Sequence, residues 1–324
     1  MGDLVHALSA VQEAAQARHG LAIDWVCEEA FAELPKLAPC IDRIIPVANR
    51  RWRKSLFAAA TRAEIQSFNR ALRAREYDVV IDAQGLLKTA WITRLARCKN
   101  ANRWGFDWAS AREPLASLAV RHKVHAPAQW HAIHRLRVLM GAALGYTPQG
   151  AVSSLEIAAA PAGTCDDERV ATAPHTEILF LHGTSRVEKS WPIESWIELG
   201  RRLVKDGYRI ALPWGSDQER EQAEKITQGI GAKDAQVLPR LSLAQLITRL
   251  QQCAGTIGLD SGLMHLSVAI GRPTVAVMTA SGLQKFSAKR FAPFWAAHAK
   301  VVEPENGKSA ITSGAVWNAW KELC

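Results

Sequence analysis

Residues 255–281 read "GTIGLDSGLMHLSVAIGRPTVAVMTAS". An apolar strand runs into Asp260, Ser261 and Gly262, a helix follows, and "PTVAVMT" then reads as a second strand. Such a strand–helix–strand passage belongs to a parallel sheet, because parallel neighbours need a crossover connection. Where the helix begins, backbone N–H groups lack partners and the helix dipole leaves about half a positive charge. A phosphate or diphosphate would be held by the amides of Ser261 and Gly262, and Gly262 would let it come close. An ordinary turn in which Asp260 or Ser261 caps its own helix fits the same residues, and this segment alone leaves both readings open. His265, in the first turns of that helix, would touch the phosphate or fill a helix–sheet contact.

Working outward, "LAIDWVCE", "IDRIIPV" and "YDVVIDAQG" read as strands in the first half, and "EILFLHG", "YRIALPWG", "GTIGLDSG" and "PTVAVMT" in the second. Helical runs alternate with them, so the fold class is α/β with two parallel sheets and covering helices. Residues 146–176, rich in Pro, Gly and small residues without a sustained period, read as the junction, which divides the chain into 1–155 and 156–324. In the last helix, near residues 315–323, Trp317 and Trp320 share a packing face.

The 324 residues are 48% hydrophobic and 22% charged, ordinary for a soluble protein of about two domains. Six cysteines without a C-x-x-C pair argue against a zinc site or a disulfide framework and fit a reducing cytoplasm. No apolar run reaches the roughly 18 residues of a membrane span, and the first twenty residues lack a signal-peptide core. The formal charge of +9 calls for an acidic partner. No RNA- or DNA-binding motif is present, so nucleic acid is not expected to be that partner.

Two further segments add to the phosphate reading. "LHGTSRVEKSWPIESW", residues 181–196, follows a strand with a loop offering the hydroxyls of Thr184 and Ser185 and the ammonium of Lys189. In "LPWGSDQEREQAEKI", Glu219 stands in the first turn of a polar helix, where it would accept from sugar hydroxyls or simply complement the dipole. No D-x-D triplet occurs to hold Mg²⁺ against a diphosphate. Lys189 and the helix end would take the metal's place, and no metal or cofactor is expected.

"LDSGLMHLSVAIGRPTVAV", "HGTSRVEKSWP" and "LPWGSDQE" resemble the donor-nucleotide segments of the bacterial lipopolysaccharide heptosyltransferases. "RRWRKSLF", "DAQGLLKTA" and "SAREPLAS" resemble the acceptor half of the branch that adds the first heptose. The resemblance covers nearly the whole chain and implies two Rossmann-like domains in the glycosyltransferase B architecture. It implies transfer of heptose, with inversion, from ADP-L-glycero-D-manno-heptose to the Kdo of Kdo2-lipid A. The enzyme would then lie in the cytoplasm, peripheral on the anionic inner membrane. Donor binding would fall to Thr184, Ser185, Lys189, Glu219, Leu241, Asp260, Ser261, Gly262 and His265, with Ser261 where the family commonly has Thr. Acceptor binding would fall to Arg50, Arg51, Arg53, Lys54, Lys88, Arg112, His131 and Arg135, whose charges suit a sugar acid and lipid phosphates. Read alone, each basic run is a solvated face. Trp104, Trp108 and Trp130 would stack on sugars or pack in the core.

At the start, "MGDLVHALSAVQEAAQARHG", Leu4, Leu8, Val11 and Ala15 recur at helical spacing, and Asp3 reads as an N-terminal cap or first-turn acid. The resemblance implies a different role for Asp3, that of the general base, in the loop after a first β-strand that precedes it by roughly ten residues. A start assigned at an internal methionine is therefore expected, with an in-frame apolar extension upstream. Two alternatives stay open: another two-domain nucleotide-sugar enzyme, either a different heptosyltransferase or an epimerase, and a nucleotide-sugar binder without turnover.

Overall fold

The computed structural model describes residues 1–157, 176–184, 186–279, 288–304 and 310–324. They form two compact units, His6–Gly150 and Ala151–Cys324, the second joined by Met1–Val5. The division thus falls at 150/151 where 155/156 was expected. Residues 151–155 are drawn in because Leu155 N donates to Ala269 O and Ser154 lies against Gly271. Met1–Val5 join because Met1 packs on Gly262 and Gly2 on His265.

In the His6–Gly150 unit the strands are β1 Asp24–Glu28, β2 Arg43–Val47, β3 Val80–Asp82, β4 Arg103–Phe106 and β5 His122–Val124. Its main helices are α1, which runs Gly2–Ala17, α2 Ala59–Arg73, α3 Leu87–Leu95 and α4 Ala132–Leu144, with a 3-10 helix over Pro114–Ala119. All pairings are parallel, but the strands make two sheets, β1–β2 and β3–β4–β5, where one was expected. Among the described residues, neither β1 nor β3 has a partner strand on its other edge. Asp24 of β1 faces Arg43 of β2 in register and accepts from its Nε at 3.1 Å, which fixes the first pair. Tyr77 Oη donates to the same carboxylate at 2.9 Å. Pro46 is tolerated because β2 is an edge strand. One apolar layer joins Ala10, Val11 and Ala14 of α1 to Phe106, Leu136 and Leu139. The other joins Ile45 and Val47 to Phe68, Leu72 and Ile92.

The second unit holds β6 Glu177–Leu181, α5 Ile193–Lys205, β7 Arg209–Leu212, α6 Asp217–Ile230, β8 Ala235–Val237, α7 Leu243–Gln252, β9 Gly255–Leu259, α8 Gly262–Ala269, β10 Thr274–Val277, β11 Ala299–Val302 and α9 Ser313–Lys321. Its six strands form one parallel sheet in the order β11-β10-β9-β6-β7-β8. Every residue of β6, β9 and β10 is buried, as continuous apolar runs covered on both faces require. Phe180, Trp191, Trp196, Leu203, Ile257 and Trp320 fill one core, each such side chain stabilising by roughly 1.5–3 kcal/mol through burial. Trp320 packs as expected, while Trp317 reaches Asp206 at 2.7 Å. At the start of β6, Glu177 pairs with Arg249 at 2.7 Å, both side chains almost wholly buried, with Gln236 donating to the same carboxylate. Burial pushes the Glu177 carboxyl up, against the pull of Arg249. That ion pair anchors one end of the sheet and leaves the loops at the other end for chemistry.

Candidate active site

The chain leaves β6 toward β7 and β8 on one side, then returns to place β9, β10 and β11 on the other. The order therefore reverses between β6 and β9, and ligands of open α/β sheets bind at the carboxyl ends of strands flanking such a reversal. The loops after β6 and β9 carry Thr184, Lys189, Asp260, Ser261 and Gly262. Lys189, in the single 3-10 turn Val187–Lys189, donates to Asp260 Oδ2 at 2.5 Å. His265 Nε2, one turn into α8, pairs with Asp260 Oδ1 at 3.2 Å. Burial alone would raise the Asp260 carboxyl, but its bonds to His265 and Lys189 prevail and bring it down to about 2. Asp260 is therefore an anion at neutral pH and fixes both Lys189 and His265 at the mouth of α8.

Ser261 is the N-cap of α8, its hydroxyl accepting from Met264 N at 3.4 Å. The capping reading of this turn thus holds for Ser261, while Asp260 serves Lys189 and His265. Thr184 Oγ1 is buried with no hydrogen-bond partner among the described residues. A buried hydroxyl is costly unless paired, so this one has a donor to spare at the carboxyl end of β6. Ser185 lies outside the described residues. Glu219 accepts from Gly215 N at 2.7 Å, and its carboxylate lies over Gly183, where a Cβ would stand 2.5 Å from Oε1. The Glu219 backbone oxygen accepts from His182 Nε2 at 2.9 Å. Gly183 and His182 thus seat Glu219 beside Thr184. Leu241 stands farther along, half-buried in the loop between β8 and α7. Trp214 Nε1 ties the preceding loop pair by donating to Leu238 O at 2.7 Å, and a cavity of about 380 Å³ opens between Trp214, Arg220, Leu238 and Pro239.

Sequence reading passed over His182 as a support for Glu219, and Thr279, whose buried Oγ1 after β10 also has no partner among the described residues. A hydroxyl just past a strand's carboxyl end was the available signal. Asp3 is exposed in the first turn of α1. Its neighbour Gly2 packs on His265, a methyl there standing 3.1 Å from Cδ2, so Asp3 belongs to the same unit as the Lys189–Asp260–His265 cluster.

The acceptor candidates lie in the His6–Gly150 unit and divide into three places. Arg50, Arg51, Arg53 and Lys54 occupy the turn after β2. Arg51 is gripped by Glu29 through two bonds of 3.0 Å and by Glu64 at 2.9 Å, which pushes its pKa further up. Arg53 and Lys54 are exposed. The segments that carry Lys88 and Arg112 meet, because Glu113 N donates to Gly85 O at 3.0 Å and Gly85, at φ +63°, packs on the backbone of Ala111 and Arg112. Arg135 corrects the expectation: it is buried over the Phe106 ring at 4.6 Å and donates to Ala126 O at 2.9 Å and to Ser110 O. Its charge is consumed inside the fold. His131 caps α4 through Nδ1 at 3.3 Å from Ile133 N. Trp104 stacks on His122, and Trp108 is about half exposed. Trp130 packs its ring on His134. The excess charge is confined to this unit: His6–Gly150 holds 21 Lys and Arg against 12 Asp and Glu, whereas the remainder balances 19 against 19.

Parallel α/β sheets with a cation and a capped helix at the reversal point fit a glycosyltransferase of the B architecture, the class that comparison with known proteins shows. The structure of the Escherichia coli heptosyltransferase WaaC with ADP matches 100% of this chain and 97% of its own at a TM-score of 0.85 and 38% identity. The same enzyme with ADP-2-deoxy-2-fluoro heptose matches at 0.84 over the same shares, again 38% identical. Lipopolysaccharide heptosyltransferase 1 of Escherichia coli K12 is 41% identical over 282 residues, 86% of this chain and 84% of the relative. The model of glycosyltransferase family 9 (heptosyltransferase) matches residues 65–310, and the chain belongs to that family. It is a glycosyltransferase of lipopolysaccharide biosynthesis, which sets aside the epimerase and the non-catalytic binder.

Proposed function

We propose that this chain moves heptose from ADP-L-glycero-D-manno-heptose to the Kdo of Kdo2-lipid A by a single displacement with inversion. The observation that carries the donor half is the Lys189–Asp260–His265 cluster at the start of α8, beside the orphaned Thr184 hydroxyl. Lys189 and the amides of α8 meet the diphosphate charge as the leaving ADP gains it, and Glu219 accepts from sugar or ribose hydroxyls. The related WaaC structures with ADP and a fluorinated ADP-heptose support this donor class. Asp3 takes the proton of the acceptor hydroxyl as that oxygen attacks the anomeric carbon. Arg53, Lys54, Lys88 and Arg112 receive the carboxylate and phosphates of the acceptor. An acceptor anchored in lipid brings the enzyme to the cytoplasmic face of an anionic membrane as a peripheral protein. Among the described residues no helix is long and apolar enough to cross one.

The test is release of ADP from ADP-heptose with and without a Kdo acceptor, with the anomeric configuration of the product read by NMR. Release only with acceptor, and an inverted product, are expected; acceptor-independent release or retained configuration overturns the reading.

A further inference from the structure

We infer that the outer face shared by α3 and the 3-10 helix Pro114–Ala119 is the surface that docks on an anionic lipid bilayer. The inference rests on the acceptor reading above and adds to it the side chains that enter the lipid.

The two helices pack on each other through small residues, Ala90 against Ala116 and Ala119, and turn their large apolar side chains outward. Leu87 and Trp91 are 51% and 45% exposed, and Leu115 and Leu118 54% and 64%. Four large apolar groups on adjoining short elements make a patch that monomers rarely leave in water without a use. The order along each element matters more. On α3, positions 87, 91 and 94 lie on one stripe, which ends in exposed Arg94. On the 3-10 helix, three residues per turn align 115 and 118, while Arg121 lies beyond its end, after extended Val120, with its guanidinium on Asn100 O. The α3 stripe runs from apolar to cationic, with Lys88 exposed beside it, and the apolar pair of the 3-10 helix adjoins it. Long basic side chains at the end of an apolar stripe place their charge at headgroup level while the apolar members enter the acyl boundary.

Charge selects the partner. This unit holds the whole net charge of the chain, and an anionic bilayer gains about 1 kcal/mol per Lys or Arg near its surface. Lys88 and Arg112, proposed for the acceptor, stand on the same two segments, so docking here presents the lipid-borne sugar where those cations wait.

The test compares the intact protein with Leu115→Ser/Leu118→Ser, and separately with Trp91→Ser, in sedimentation with vesicles of phosphatidylcholine and of phosphatidylcholine mixed with phosphatidylglycerol. Transfer is measured in parallel to lipid-embedded acceptor and to a Kdo acceptor lacking acyl chains. The side chains are exposed, and circular dichroism verifies folding of each variant. Expected are binding to the mixed vesicles only, a loss of about tenfold in each variant, and unchanged turnover on the acyl-free acceptor. Vesicle binding equal to the parent in both variants overturns the inference. So does a change from dimer to monomer in the variants with vesicle binding intact, which would make the face an interface between copies. Absence of transfer by the parent to either acceptor, with vesicle binding as expected, defeats the catalytic reading and leaves the docking surface standing.

Discussion

Lys189 is the side chain on which the proposed donor binding turns, because it is a point charge held by Asp260 at 2.5 Å. Lys189→Ala should weaken ADP binding by about 1.5–3 kcal/mol, roughly ten- to a hundredfold in Kd, as the loss of a charge-assisted contact. Calorimetric titration with ADP checks it. Asp3→Asn keeps shape and most hydrogen bonding but removes the base. It should cut turnover by about 10²- to 10⁴-fold with ADP affinity unchanged, read from kcat beside the same titration. Near-normal turnover would return Asp3 to the role of a first-turn acid. Residue types at turns were legible in the sequence, since a cap or a phosphate ligand is a local arrangement. The fate of Arg51 and Arg135 was not. Arg51 is engaged by carboxylates 22 and 13 residues away, and Arg135 by carbonyls 9 and 25 residues away. A basic run shows its charge but not who has already taken it.

At the level of elements, the strands that run as continuous apolar stretches were read correctly, β6, β9 and β10 among them. The short strands β4, β5 and β8 and the half-exposed β11 were missed, because three or four residues carry neither alternation nor an apolar run. Loop encounters were likewise hidden. The meeting of the loops after β6 and β7, where Gly183 lies under Glu219, joins positions 36 apart. Gly183→Ala should force the Glu219 carboxylate aside and cost its bond to Gly215, since the new methyl would fall 2.5 Å from Oε1. Because a flexible side chain can swing away, the melting temperature should hardly move while the donor KM rises by about tenfold, the worth of one hydrogen bond of roughly 1–1.5 kcal/mol. A large fall in melting temperature with unchanged KM would show that Gly183 serves the fold alone.

Across the whole molecule, composition gave the +9 charge but not its address. Only the division into units shows that one unit carries all of it and the other is balanced. Screening should therefore act unequally on the two substrates. The cations proposed for the acceptor are exposed, and the Debye length shrinks from about 30 Å at 0.01 M salt to about 3 Å at 1 M. The donor contacts are largely buried, the Lys189 and Asp260 side chains being 15% and 11% exposed. Raising salt over that range should lift the acceptor KM several-fold and leave the donor KM nearly constant, in steady-state kinetics with each substrate varied. Equal sensitivity would mean that the charge asymmetry has no part in acceptor capture.

The unpaired edges of β1 and β3 bear on how the protein breathes. In the six-stranded sheet, opening β6 or β9 to water means breaking hydrogen bonds on both sides and uncovering side chains that are wholly buried. In the other unit, β1 and β3 each hold one neighbour and are mostly half-exposed. Local opening there costs less than global unfolding, so amide protons of β1 and β3 should trade with deuterium orders of magnitude faster than those of β6 and β9. Mass-resolved exchange should then show two stability levels in one chain: a firm unit that carries the residues proposed for the nucleotide, and a softer one that carries those proposed for the acceptor.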